Sequence, residues 1–133
     1  MQIPADRWLP LENTRITPEG RWESTIRFES SSEWFSGHFD DFPVLPGVAL
    51  LALAAEMLER QGREQGRRLA VSGFSKVRFK RLVFPDEELH ISVAAMPSKP
   101  EATLDFHITC RGETVAQGFL EAGAEASLPM SKR

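Results

Sequence analysis

Cysteine is almost missing from this 133-residue chain, with Cys110 standing alone. No intramolecular disulfide can form, and a reducing, cytoplasmic setting is expected. Long apolar runs are missing too: the longest, Gly47 to Ala55, falls far short of the ~20 residues that cross a bilayer. The N-terminal "MQIPADRWLP" holds an acid and two prolines around no apolar core, which argues against a signal peptide. Basic charge is not in excess. Lys and Arg number 16 against 19 Asp and Glu, a formal net charge of −3, so wholesale nucleic-acid binding is not expected. No His–carboxylate–Cys spacing suggests a metal site, and the chain shows neither an internal repeat nor a low-complexity segment.

What is present is globular in composition and long enough to bury roughly two-thirds of its unfolded surface. One domain is expected over residues 1–133, with its core at about 20–123 and a frayed tail at about 126–133. Helix signals gather in one place. Pro46 suits a first helical turn, the chain from Gly47 reads VALLALAAEMLERQ, and Gly62 and Gly66 offer stops. Positions 48 to 55 have no polar face, so the helix should be surrounded by other structure.

Strand signals fill the rest. In "RWESTIRFE", Trp22, Ser24, Ile26 and Phe28 alternate with charged or polar neighbours. "KVRFKR" sets Val77 and Phe79 against Lys76, Arg78 and Lys80. "ELHISV" presents Leu89, Ile91 and Val93, and "TLDFHITCR" presents Leu104, Phe106, Ile108 and Cys110. "ETVAQGFLEAG" ends the series, and turn chemistry at "FPDE", "MPSKP" and "RGE" separates the strands. One strand, one buried helix and four further strands describe an α+β fold, an antiparallel sheet wrapped around a central helix.

The chemistry concentrates in "GHFDDFPVLPGVALLALAAEML", residues 37–58. A lone histidine, His38, shares a loop with Asp40 and Asp41 ahead of the helix, whose first charge is Glu56. Each residue also has a plainer role open to it. His38 can cap or pack under the helix, Asp40 and Asp41 can be turn residues, and Glu56 can pair with Arg60 at i+4. His90 and His107 fall on polar strand faces, where solvated histidines are expected, and Cys110 falls on an apolar one. From Arg67 to Arg81 the charges are Arg67, Arg68, Lys76, Arg78, Lys80 and Arg81, with no acid among them. That run is either a solvated face or a docking patch for an acidic partner.

Two segments carry a resemblance. "GHFDDFPVLPGV" followed by an Ala-rich helix is similar to the hot-dog-fold (3R)-hydroxyacyl-acyl-carrier-protein dehydratases of the FabZ/FabA type. Their motif runs His-Phe-Pro-x-x-Pro-x-x-Pro-Gly-Val, and His38, Phe39, Pro43, Pro46, Gly47 and Val48 fall at the matching positions. "FSKVRFKRLVFPDEEL" resembles the same family's K-x-R-F-[RK]-R-x-V-x-P-G-D-x-L strand. The resemblance covers residues ~20 to 123.

It implies a hot-dog fold, at least a homodimer, and hydration–dehydration of a 3-hydroxyacyl thioester. No bound cofactor is implied, since the phosphopantetheine arm comes with the substrate, on acyl-carrier protein or coenzyme A. His38 would be the base. Gly47 and Val48 would donate to the thioester oxygen, with Phe39 and Pro46 beside them in the substrate-binding segment. Arg78, Lys80 and Arg81 would receive the carrier protein or the arm's phosphate.

The family's helix glutamate, fourteen residues after the histidine and supplied across the dimer, is Ala52 here. Glu56, one turn (~5.4 Å) further on, is the candidate replacement acid, in apolar surroundings that would raise its pKa. Asp40 and Asp41 stand where the family has Pro and Gly, and either could orient His38. Either could instead serve a thioesterase of the same fold. A catalytically degenerate paralogue that only binds acyl thioesters is the third alternative.

Overall fold

The computed structural model describes residues 11–31, 44–66, 68–96 and 99–124. Within them the strands are β1 (Glu12–Ile16), β2 (Trp22–Arg27), β3 (Leu69–Phe79), β4 (Glu88–Met96), β5 (Lys99–Cys110) and β6 (Glu113–Ala124). The helix α1 (Gly47–Glu64) lies between β2 and β3 in the chain. The strands form one antiparallel sheet in the order β1-β2-β4-β5-β6-β3.

Register follows the apolar alternation. Ile26 lies opposite Leu89 and Ser24 opposite Ile91. Ile91 pairs with Ile108, Val93 with Phe106, and Leu104 with Leu120. A slip of one residue would turn all of these outward. Each of them is buried, as is Cys110, and against them α1 packs Ala49, Leu50, Leu53, Ala54, Met57 and Leu58. Burying each of the larger aliphatic side chains contributes about 1.5–3 kcal/mol before the entropy of ordering it.

Phe106 faces Gly118 across the β5–β6 ladder. A Cβ at Gly118 would lie 3.1 Å from the Phe106 ring and 3.0 Å from the Val77 Cα. The missing side chain therefore lets β3 close over β6. The turn between β5 and β6 holds Arg111 and Gly112 at φ 53° and 80°, the two left-handed positions of a tight hairpin.

Five expectations change or narrow. A strand, β1, precedes the expected first one. It reads ENTRI, carries one large apolar residue, and is held by polar bonds: Ser24 Oγ donates to the Glu12 carbonyl at 2.7 Å and Thr14 Oγ1 lies 3.0 Å from Ser24 Oγ. The strand expected around "KVRFKR" begins earlier, at Leu69, and ends at Phe79, before Lys80 and Arg81. Two register shifts break its alternation, Lys76 takes φ 52°, and Phe79 stays 51% exposed instead of joining the core.

The helix, third, takes the second of its two expected stops and runs through Gly62, which is buried within it. It ends where Gly66 takes φ 73° just past Gln65. Fourth, within one chain α1 is not fully covered: Val48 is 61% exposed, and Leu51, Ala52 and Ala55 are half-buried. His107 is half-buried rather than solvated, its Nε2 2.9 Å from Thr114 Oγ1.

Candidate active site

Two contacts and a proline cap fix the N-terminus of α1. Leu45 N–H donates to the Val83 carbonyl at 2.8 Å, tying the helix approach to the β3–β4 connection. Pro46, at φ −69° and ψ 150°, is the N-cap and offers no side-chain bond. The Phe79 ring then comes end-on against Gly47, whose added Cβ would meet its tip at 3.0 Å and its flanks at 3.2 and 3.4 Å. In the structure the close neighbour is an aromatic ring that walls the site.

The first turn of α1 carries no acidic residue, and its first helical bond runs from Ala49 N–H to the Pro46 carbonyl at 2.9 Å. The helix itself therefore leaves the N–H groups of Gly47 and Val48 unused. Together with the helix dipole they present positive potential to an approaching carbonyl oxygen. Exposed apolar side chains lie on the segments that meet here: Val48 on α1, Phe79 at the end of β3, and Leu82 at 61% and Phe84 at 38% on either side of Val83. Donors on segments with exposed apolar surface suit a polar head on an apolar chain. Leu82, Val83 and Phe84 were not singled out in the sequence, although "RLVF" between basic residues and a proline turn was the available signal.

Glu56 is buried at 7%, but its surroundings are not apolar. Its Oε2 lies 3.4 Å from Arg60 and 3.3 Å from Arg63. The apolar surroundings expected for this carboxyl are therefore replaced by two guanidinium groups. Ala52, one turn earlier, is half-buried. His38, Phe39, Asp40 and Asp41 lie outside the described residues.

Arg81 carries ion pairs within the chain. Its guanidinium bonds Glu87 in bidentate fashion, at 3.3 Å to Oε1 and 2.7 Å to Oε2, and its Nε lies 3.1 Å from Glu113. These bonds leave its side chain 22% exposed. The Arg81 bond holds the Glu87 carboxyl below its ordinary range, against partial desolvation and with help from the Phe84 N–H. The same pairing raises Arg81. Arg78 and Lys80 remain exposed. A groove of about 370 Å³ is lined by Arg21, Ser92, Asp105 and His107. Arg21 is already bonded there to Asp105 at 2.6 Å and Ser92 at 2.9 Å.

One helix seated on an antiparallel sheet, with its N-terminus at the β3–β4 connection, defines a hot-dog-fold protein. The dehydratase heterocomplex ApeI:P from Xenorhabdus doucetiae superposes with a TM-score of 0.71 over 84% of this chain and 95% of that one, at 19% identity. The profile of the ApeI-like family, described as ApeI dehydratase, matches residues 14–119, and the chain belongs to that family. The 3-hydroxyacyl-[acyl-carrier-protein] dehydratase FabZ of Cupriavidus metallidurans is 30% identical across 81% of this chain and 77% of its own length. FabZ of Bacillus cereus is 35% identical across 63% of this chain. The match spans 66% of that relative's length. Among the described residues no helix is long and apolar enough to cross a membrane.

Proposed function

We propose that this chain dehydrates a (3R)-3-hydroxyacyl thioester, carried on the phosphopantetheine arm of acyl-carrier protein or on coenzyme A, and catalyses the reverse hydration. The observation that carries this reading is the family match over residues 14–119, joined to a helix N-terminus whose Gly47 and Val48 N–H groups the helix does not use.

In the proposed reaction the thioester oxygen accepts from Gly47 and Val48, which acidifies the α-carbon. His38, matched to the family's histidine, takes the α-proton. The electron pair of the broken C–H bond forms the C=C bond, and the C–O bond breaks. The imidazolium then returns its proton to the departing hydroxide, giving water and neutral His38. This assignment uses one group for both transfers, because Glu56 is occupied by Arg60 and Arg63 and position 52 is alanine. The chemistry calls for no bound cofactor.

A second copy of the chain is assigned to cover the exposed face of Val48, Leu51, Ala52 and Ala55, completing the acyl channel. Arg78 and Lys80 are assigned to steer an acidic carrier toward it. Fatty-acid or polyketide-type synthesis in the cytoplasm is the setting that fits such a substrate.

The test is turnover of 3-hydroxyacyl thioesters of short, medium and long chain, followed by the rise in conjugated-thioester absorbance. The expected result is enoyl product without release of thiol. Thiol release without enoyl product would establish the thioesterase alternative instead. In the same assay Glu56→Gln is expected to keep kcat within threefold, and a loss beyond a hundredfold would restore Glu56 as the acid.

A further inference from the structure

The connection from β3 to β4 is tied down along its whole length. Lys80 N–H donates to the Val115 carbonyl at 2.7 Å, and Asp86 N–H to the Phe28 carbonyl at 2.8 Å. Phe84 N–H donates to Glu87 Oε1 at 2.9 Å, and the same carboxylate grips Arg81 through both oxygens. The Glu87 side chain is 13% exposed and that of Arg81 22%, so solvent screens this pair less than an open surface one. Between the two anchors Val83 is buried, and its carbonyl accepts from Leu45 N–H.

Leu45 stands two residues before Gly47 and is joined to it through Pro46, whose ring fixes φ. A shift of the Val83 carbonyl is therefore passed to the first turn of α1 with little slack. Arginine is the suitable cation here, because only its planar fork can hold both carboxylate oxygens while turning Nε toward a second acid.

We propose that Arg81 and Glu87 are positioning residues of the active centre: their bidentate pair holds the Val83 carbonyl and, through Leu45, sets where the Gly47 and Val48 N–H groups point. The inference rests on the reading that those N–H groups polarise a thioester carbonyl. Without the Glu87 carboxylate, Arg81 loses its main partner and Phe84 N–H its acceptor, and the Leu82–Phe84 backbone is released. Misplacement of a catalytic group by ~1 Å is enough to lower a rate up to ~100-fold.

The experiment pairs steady-state kinetics on a 3-hydroxyacyl thioester with amide hydrogen exchange in the full chain. Glu87→Ala is expected to lower kcat at least tenfold with KM within threefold of wild type. Exchange at Leu45, whose N–H donates to the Val83 carbonyl, should rise tenfold while Ile108 stays protected. Glu87→Gln keeps an acceptor for Phe84 N–H but not the bidentate pair, and its kcat should fall between those of wild type and Glu87→Ala. A folded Glu87→Ala with wild-type kcat and wild-type exchange at Leu45 overturns the proposal, and so does loss of protection spread evenly into β5. Should Glu87→Ala not fold, exchange in Arg81→Lys decides: faster at Leu45 supports the proposal, unchanged overturns it. A wild-type chain without turnover overturns the dehydratase reading, and exchange at Leu45 then still decides the positioning role.

Discussion

At the residue scale, Gly47 shows how a motif residue can have two reasons to be there. Glycine matches the family's segment, and a methyl group at Gly47 would also press on the Phe79 ring at 3.0–3.4 Å. Phe79 is half exposed and can yield, so Gly47→Ala should cost only about 1 kcal/mol, at the low end for overpacking. The Phe79→Ala background should remove most of that cost. Urea unfolding of the two single variants and the double variant measures the coupling, and additive effects would show that the ring does not constrain position 47.

Glu87 gives a pH dependence. Its carboxyl is held low by Arg81, the Phe84 N–H and the nearby Arg111 charge, so the folded chain binds fewer protons than the unfolded one near its titration. The stabilisation is then fully present above the ordinary glutamate range of about 4.3 and is lost as pH falls through the lower folded value. Wild type should therefore exceed Glu87→Gln in stability at pH 7, and the gap should close between pH 5 and 3 in denaturant titrations. A gap that stays constant over that range would remove the assignment.

At the element scale, legibility tracked burial. The strands β2, β4 and β5 alternate strictly because one face is in the core, and Ser24, Ile26, Leu89, Ile91, Phe106 and Ile108 lie where the period of two places them. The strand β1 escaped because it lies at the sheet's edge and is held by hydroxyl and carboxylate bonds that leave no hydrophobic pattern. Phe79 keeps the face that alternation gives it, opposite the buried Ala116 and against Gly47 of α1, but at the end of β3 its ring stays half exposed. The bulge between Ser75 and Arg78 has no signature in "KVRFKR". The same bulge depends on Gly118, which a methyl group would push into Phe106 and the Val77 backbone. Gly118→Ala is expected to destabilise by about 1–3 kcal/mol, seen as a lower Tm, whereas Gly73→Ala, with open space around its Cα, should stay within about 0.5 kcal/mol.

At the scale of the whole molecule, the candidate site was half legible. The helix N-terminus could be read from "PVLPGV", because proline, glycine and an apolar run leave few alternatives to a helix start. The ionic environment of Glu56 and the internal use of Arg81 could not, since both depend on neighbours brought up by folding: Arg63 two turns along α1, and Glu87 and Glu113 around the next connection. The central claim is that this fold carries a dehydratase worked by His38 and the Gly47–Val48 N–H pair. It is tested most directly by the initial rate of enoyl-thioester formation from a (3R)-3-hydroxyacyl thioester, measured side by side for wild type and His38→Ala. The account predicts steady turnover by wild type and a loss of 10²- to 10⁴-fold in the variant, as expected for removal of a general base. Equal rates in the two proteins, or no turnover by wild type at any chain length, would contradict it.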